Sequence, residues 1–319
     1  MAVERQPIAR KPRNYALIAA IDFAFLALVY VAAAVFVLLV AMLFLELVRG
    51  SWPSLQAFGA RFLWTSHWNP VTSQFGALPL IYGTIVSSLI AIVLAGFVGI
   101  LAAAFLAEFA PGWLAQPLGF VIELLAAVPS VVFGLWGLFV LAPAVRNQIG
   151  PFLIHTLGWI PVFSGPVVTG TSLFTAGLIL ALMILPTVTA ISREVIIAIG
   201  GDLREASMSL GATKWETVAR VVLPASRVGI FGAIILALGR ALGETIATTM
   251  VIGNRPEIVA SFFAPSYTLA SVIANEFTEA NGAVYISSLI ELGLLLFIVS
   301  FVVNGLARLL LWTVMRERP

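Results

Sequence analysis

Seven consecutive residues inside a long apolar run, Gly239-Arg240-Ala241-Leu242-Gly243-Glu244-Thr245, carry a permanent cation and a carboxylate four positions apart. On a continuous helix that spacing puts both charges on one face, one turn from each other. A helix over about Val228–Ile252 has Arg240 at its midpoint. A charge at that depth in a bilayer costs between roughly a few and more than ten kcal/mol unless it faces water or a partner. One reason to carry that cost is an anion pathway. A guanidinium is a planar fork that binds two oxygens of an oxyanion at once and keeps its charge at neutral pH. Glu244 tempers that charge so that the anion can leave, and a carboxylate can accept a hydrogen bond from a protonated phosphate oxygen, which fully ionised sulfate does not offer. The other reason is a structural ion pair that locks helix packing. Gly239 and Gly243 have the small-xxx-small spacing that lets a second backbone approach closely. The residues alone are compatible with either reading.

The most polar interior stretch runs over residues 192–227. Asp202 suits an N-cap with Glu205 three positions on, and Gly211 suits the left-handed turn that ends a helix. A second short helix is expected over Thr213–Val222, with Pro224 stopping it or beginning the next. Leu210 and Trp215 would then project as apolar knobs from a helix-turn-helix. Such an element is either a docking surface or a solvated connector.

Composition says which solvent the positioning elements meet. Of 319 residues, 61% are hydrophobic and 10% charged, whereas an ordinary soluble domain is about a quarter charged. A single water-soluble globule is excluded, and the chain reads as an all-α polytopic membrane protein. A membrane helix needs about 20 mostly apolar residues, and six runs qualify: Ala16–Leu47, Leu80–Leu106, Leu118–Leu141, Leu173–Ile191, Val228–Ile252 and Ile286–Leu311. The first is too long for a cleaved signal peptide and is followed by Glu46 and Arg49. Lys and Arg set the orientation. Arg5, Arg10, Lys11 and Arg13 precede the first run, Arg193, Arg204, Lys214, Arg220 and Arg227 lie between the fourth and fifth, and Arg316 and Arg318 follow the sixth. The other side has Arg49, Arg61, Arg146 and Arg255. Both termini and the 192–227 loop are therefore expected in the cytoplasm. Trp52, Trp64, Trp68 and Trp159 are expected at headgroup level.

Several function classes drop out. The charge balance is +2 and its cations are scattered, so nucleic acid is not expected as a partner. The chain has no Cys, which removes disulfides, thiol catalysis and thiolate metal sites. His67 and His155 are far apart and lack a carboxylate cluster, so no metal site is expected. Neither Lys11 nor Lys214 follows a Gly, so the phosphate-binding loop of a nucleotide motor is missing, and no Gly-x-Ser-x-Gly is present. Pro129 and Pro186 interrupt apolar runs as packing kinks or as places where freed carbonyls line a cavity. Glu123 and Glu291 are single carboxylates inside spans, read as structural, and Asp22 is expected to reach toward water.

The loop pattern is specific. Glu205-Ala206-Ser207, then Gly211, then Val221-x-Leu223-Pro224 resembles the EAA loop of ABC importer permeases, with Ser207 in place of a second Ala. The Arg240–Glu244 motif, followed by Val251-Ile252-Gly253-Asn254, resembles the permease subunits of bacterial phosphate importers, the PstC family. Trp68-Asn69-Pro70-Val71, Phe75–Pro79, Ile81–Thr84, Pro129–Gly137, Ser164-Gly165-Pro166 and Ala274–Phe277 agree with the same family, so the resemblance spans nearly the whole chain beyond its first residues. It implies a six-helix ABC importer permease fold of type I (MetI-like), with residues 16–312 as the transmembrane domain, 192–227 as its coupling loop, and 1–15 and 313–319 as cytoplasmic ends. It implies a multi-pass protein of the bacterial inner membrane that is not itself an enzyme and passes phosphate from a binding protein by alternating access. Arg240 and Glu244 map onto residues of the substrate pathway, and Glu205, Ala206, Ser207, Gly211, Leu223 and Pro224 onto the contact with an ATPase. The turn Glu108–Trp113 maps onto a minor second contact. The implied partners are a second permease (PstA-like), an ATPase dimer (PstB-like) that binds ATP and Mg, a phosphate-binding protein (PstS-like) and membrane lipid; the chain itself would hold no cofactor. Two alternatives are the same machinery with another oxyanion, and a gradient-driven secondary transporter, which would show inverted repeats.

Overall fold

A computed structural model describes residues 15–316; Arg5, Arg10, Lys11, Arg13 and Arg318 lie outside the described residues. Every regular element among the described residues is helical, with two isolated bridges, Asn69 with Gln74 and Gly253 with Ser266. Contacts divide the chain into two units, Met1–Arg49 and Gly50–Pro319.

The described residues of the first unit belong to the long helix α1 (Tyr15–Phe58). Its side chains over residues 20–46 are exposed and almost all apolar. A helix that is apolar all round and bare is at home in hydrocarbon.

The second unit contains the remaining elements, including two single turns at Arg61–Trp64 and Pro161–Phe163 and a set of longer helices. These helices are α2 (Leu78–Phe109), α3 (Gly112–Ala126), α4 (Ser130–Leu157), α5 (Leu173–Ile197), α6 (Gly201–Ser209), α7 (Lys214–Leu242), α8 (Ile246–Val251), α9 (Leu269–Glu276) and α10 (Ala283–Arg316). Together with α1, six helices are long and apolar enough to cross a membrane: Ala20–Phe58, Leu78–Phe109, Ser130–Leu157, Leu173–Ile197, Lys214–Leu242 and Ala283–Leu309.

The centre is the pairing of α2 with α5. Small residues let the two backbones close: a Cβ on Gly177 would sit 2.5 Å from Ile90 Cγ2, and one on Gly99 would sit 2.9 Å from Val188 Cγ1. Helix association in lipid depends on such close packing, because burial of apolar surface drives nothing there. Ala237 and Ala241 of α7 complete this cluster against Ala91, Ala95 and Leu180.

Two expected spans are corrected. Leu118–Leu141 is broken in two: α3 ends at Ala126, Pro129 is extended at φ −59°, ψ 141°, and α4 starts after it. Proline has no N–H to donate and pushes the residue before it out of the helical region. The span is therefore Ser130–Leu157, which turns much of an expected loop into helix. Val228–Ile252 is displaced in the other direction, because its helix begins at Lys214 and ends at Leu242. A capping box starts it: the Thr213 hydroxyl accepts from Glu216 N–H and the Glu216 carboxylate accepts from Thr213 N–H. The expected short helix over Thr213–Val222 is thus the first part of α7, and Pro224 lies inside the continuous run.

Three of the four π-turns among the described residues let a helix carry a proline. The four occupy Phe105–Phe109, Gly137–Leu141, Val145–Ile149 and Val218–Val222, and a proline stands two residues after each: Pro111, Pro143, Pro151 and Pro224. A proline ring collides with the carbonyl four residues back and leaves it without a donor. For Pro143, Pro151 and Pro224, which lie inside helix, that carbonyl falls within the wider turn, where the i+5 pattern takes up the mismatch, whereas Pro111 follows Ala110, which has already left the helix at φ −69°, ψ 132°.

Candidate translocation site and coupling element

Arg240 sits in the last turn of α7, two residues before its end, rather than at a helix midpoint. Gly243 caps the helix at φ −93°, ψ 0°, and Thr245 is the N-cap of α8, so Glu244 belongs to neither helix. The expectation that Arg240 and Glu244 share one helix face is therefore corrected. Glycine holds a helix weakly, and a carboxylate beyond it is well placed to start the next one. Glu244 Oε1 accepts from Ala247 N–H at 3.3 Å. Among the described residues no carboxylate pairs with Arg240, which leaves the locking ion pair without support.

Packing decides which way the arginine faces. Ala237 and Ala241 are buried against α2 and α5, while Arg240 lies off that face and is exposed. Glu244 is half-buried. A cation at a helix C-terminus is favoured by the carbonyl dipoles there. In the apolar second half of α7, however, an unpaired guanidinium still requires water, an anion or another subunit beside it.

The segments flanking the pair are held by close backbone approaches. A Cβ on Gly134 would lie 2.6 Å from Met250 Sδ and 3.1 Å from Ala247 Cα, so α4 and α8 touch directly. After α8, Asn254 adopts a left-handed conformation (φ 53°) and its side-chain amide donates to Thr249 O at 3.0 Å. Gly83 of α2 has no room for a Cβ: it would lie 2.1 Å from Tyr267 O. Next to it, Thr84 Oγ1 accepts from Leu269 N–H at 2.9 Å. Burial raises the Tyr267 hydroxyl to about 12, so it stays neutral while it accepts from Asn275. Glu276 Oε2 accepts from Trp68 Nε1 at 2.8 Å and from Tyr285 OH at 2.7 Å. Most motifs around the pair thus have a packing reason.

At the other end of α7 lies the expected docking element. Glu205 and Ala206 are exposed on α6, with Leu203 and Met208 half-exposed beside them, and Ser207 Oγ meets Thr217 Oγ1 at 3.0 Å. Gly211 takes the left-handed conformation (φ +87°) that ends α6. Leu210 and Trp215 project as expected, at 91% and 64% exposure. Asp202 is corrected from N-cap to first turn, since Gly200 occupies the cap; a carboxylate there still complements the helix dipole. Leu223 packs against Ala103, Ile196 and Val222, and Pro224 follows the π-turn, so these two shape α7 rather than the α6 surface.

Nothing local in the sequence pairs Arg204 with the end of α2. Its Nη2 lies 2.6 Å from Glu108 Oε1 at the end of α2. Glu108 therefore faces inward, its side chain 9% exposed. The same turn presents Phe109 to Trp215, with centroids 6.2 Å apart, and to Lys214 Nζ, 5.4 Å above the ring. His67 and His155 are exposed, and among the described residues no three metal-ligating side chains come together. Glu123 lines a small recess with Arg193 and Glu194, and Glu291 is buried near the linked hydroxyls of Ser54 and Ser288.

Residues 95–311 match the family model described as binding-protein-dependent transport system inner membrane component. The chain belongs to that family. Its relatives include the phosphate transport system permease protein PstC of Mesorhizobium japonicum, 45% identical over 97% of this chain and 96% of that one. The protein of the same name from Pasteurella multocida is 46% identical over 89% and 90%. Among solved structures, an inward-facing form of the MetNI methionine ABC transporter superposes with a TM-score of 0.52 at 18% identity, covering 74% of this chain and 95% of that one. That likeness shows a shared fold, the MetI-like ABC importer permease fold. The family match takes in α6, Arg240 and Glu244, and makes the chain a multi-pass membrane component of a transport system.

Proposed function

We propose that this chain is the permease subunit of an ATP-driven importer of inorganic phosphate. Identity of 45% to a phosphate permease across nearly the whole of both chains carries the reading, and the exposed, unpaired Arg240 supplies the chemistry it requires. In this proposal the termini and α6 face the cytoplasm, in keeping with the excess of Lys and Arg on that side. Residues 16–312 form the transmembrane domain, 192–227 its coupling loop, and 1–15 and 313–319 the cytoplasmic ends. Glu205, Ala206, Ser207 and Gly211 engage the ATPase, while Leu223 and Pro224 set the helix that the loop drives. A second PstA-like permease lies against this one, a PstB-like ATPase dimer carries ATP and Mg, and a PstS-like protein delivers phosphate. This chain needs no cofactor of its own.

Arg240 offers a forked, charge-assisted pair of hydrogen bonds to phosphate oxygens. Glu244 lowers the local positive field, which keeps residence short, and accepts from a protonated oxygen. Closure of the ATPase dimer displaces α6, and the bundle rocks so that the Arg240 region opens to one side and then the other. The test is labelled phosphate uptake into proteoliposomes that hold the assembled complex. Uptake that depends on internal ATP and the binding protein, and that excess sulfate or molybdate leaves unchanged, is the expected result. Uptake driven by an ion gradient with this chain alone overturns the proposal, and suppression by molybdate or sulfate overturns its substrate.

A further inference from the structure

Arg204 saturates its guanidinium. Nε and Nη2 both donate to Glu108 Oε1, at 3.0 and 2.6 Å. Nη2 also donates to Ile196 O at 2.9 Å, and Nη1 donates to Gly200 O at 3.3 Å and to Ile199 O. A guanidinium has five N–H groups, and all five are used. The carbonyls belong to the C-terminal end of α5 and the chain just beyond it, where helix geometry leaves acceptors without donors. One side chain on α6 therefore ties α6 to both α2 and α5, the two helices at the centre of the bundle.

The joint it spans would otherwise be loose. Gly200 and Gly201 connect α5 to α6, and neither would meet any atom within 4 Å if it carried a Cβ. Glycine pairs of this kind leave the backbone free to pivot. Opposite the clamp, Phe109 packs on Trp215, so the α2 end braces both arms of the loop.

We infer that Arg204, held by Glu108, is a positioning residue for energy coupling: it converts α6 from a tethered flap into a rigid lever on α2 and α5. The inference rests on the reading of α6 as the element an ATPase moves. A lysine keeps the charge but cannot make five bonds in a fork. In the reconstituted complex, Arg204→Lys should leave ATP hydrolysis nearly unchanged while phosphate moved per ATP falls about tenfold, the scale of losing one charge-assisted hydrogen bond. An unchanged ratio overturns the inference.

A second readout works on the full chain in detergent, whether or not that variant assembles. The chain has no Cys, so spin labels at Met208→Cys and Gln116→Cys, both exposed positions, report the α6-to-α3 distance without background. A narrow distribution that broadens in Arg204→Lys is expected; equal widths overturn the clamp. If the unsubstituted complex moves no phosphate with ATP while the distribution still broadens, the clamp stands and the functional reading falls.

Discussion

Replacing Arg240 with Gln separates a transport role from a structural one. Arg240 is exposed on α7 and, among the described residues, pairs with no carboxylate, so its removal breaks no internal ion pair. The folding cost is then limited to its interaction with the C-terminal carbonyls of α7, about 0.3–1 kcal/mol. Transport loses far more. Each charge-assisted hydrogen bond to an anion is worth about 1.5–3 kcal/mol, so losing a forked pair slows passage by about a hundredfold or more. Gln keeps a polar head on a shorter stem and removes the charge and the fork. The assay is ATP-dependent uptake of labelled phosphate in proteoliposomes, with complex recovery by affinity purification as the control. Uptake within about threefold of the parent in a fully assembled complex refutes the reasoning, because a carrier of that binding energy would leave a larger deficit.

Three further outcomes follow from the packing. Gly83→Ala places a methyl 2.1 Å from Tyr267 O; the backbone must move, and thermal unfolding in detergent should show a loss of about 1–3 kcal/mol, whereas Gly96→Ala, with nothing within 4 Å, should be neutral. Glu276→Ala strands the Trp68 and Tyr285 donors and should cost about 1–3 kcal/mol, read as a lower unfolding temperature; an unaltered midpoint sinks the reading of this half-buried carboxylate as a structural tie. Thr213→Ala removes half of a capping box and should cost about 1 kcal/mol, visible as faster amide exchange over Lys214–Thr217 and little change elsewhere.

Some of the site was legible along the chain. Gly211 was read as a left-handed cap because only glycine adopts that conformation without strain, and its φ of +87° agrees. Leu210 and Trp215 were read as exposed because they interrupt a polar segment. The break at Gly243 was missed because the residues on both sides are apolar, and hydropathy does not distinguish one helix from two joined by a turn. The π-turns do carry a local signal, a proline two residues downstream in all four cases.

The sequence by itself determined the solvent and the number of crossings, since both depend on summed transfer energies of runs of about 20 residues, and such sums are local. It also determined the family, through motifs in which Gly76, Gly83 and Gly134 mark where a second backbone approaches. Only the tertiary structure decided that Arg240 lies off the packed face of α7, that Glu244 lies in the break between α7 and α8, and that Arg204 meets Glu108. The last pairing joins residues 96 positions apart, and Trp68 meets Glu276 across 208. No local propensity encodes such contacts. They appear when α2, α5 and α7 close on their small residues, and that closure fixes where each remaining charge can reach.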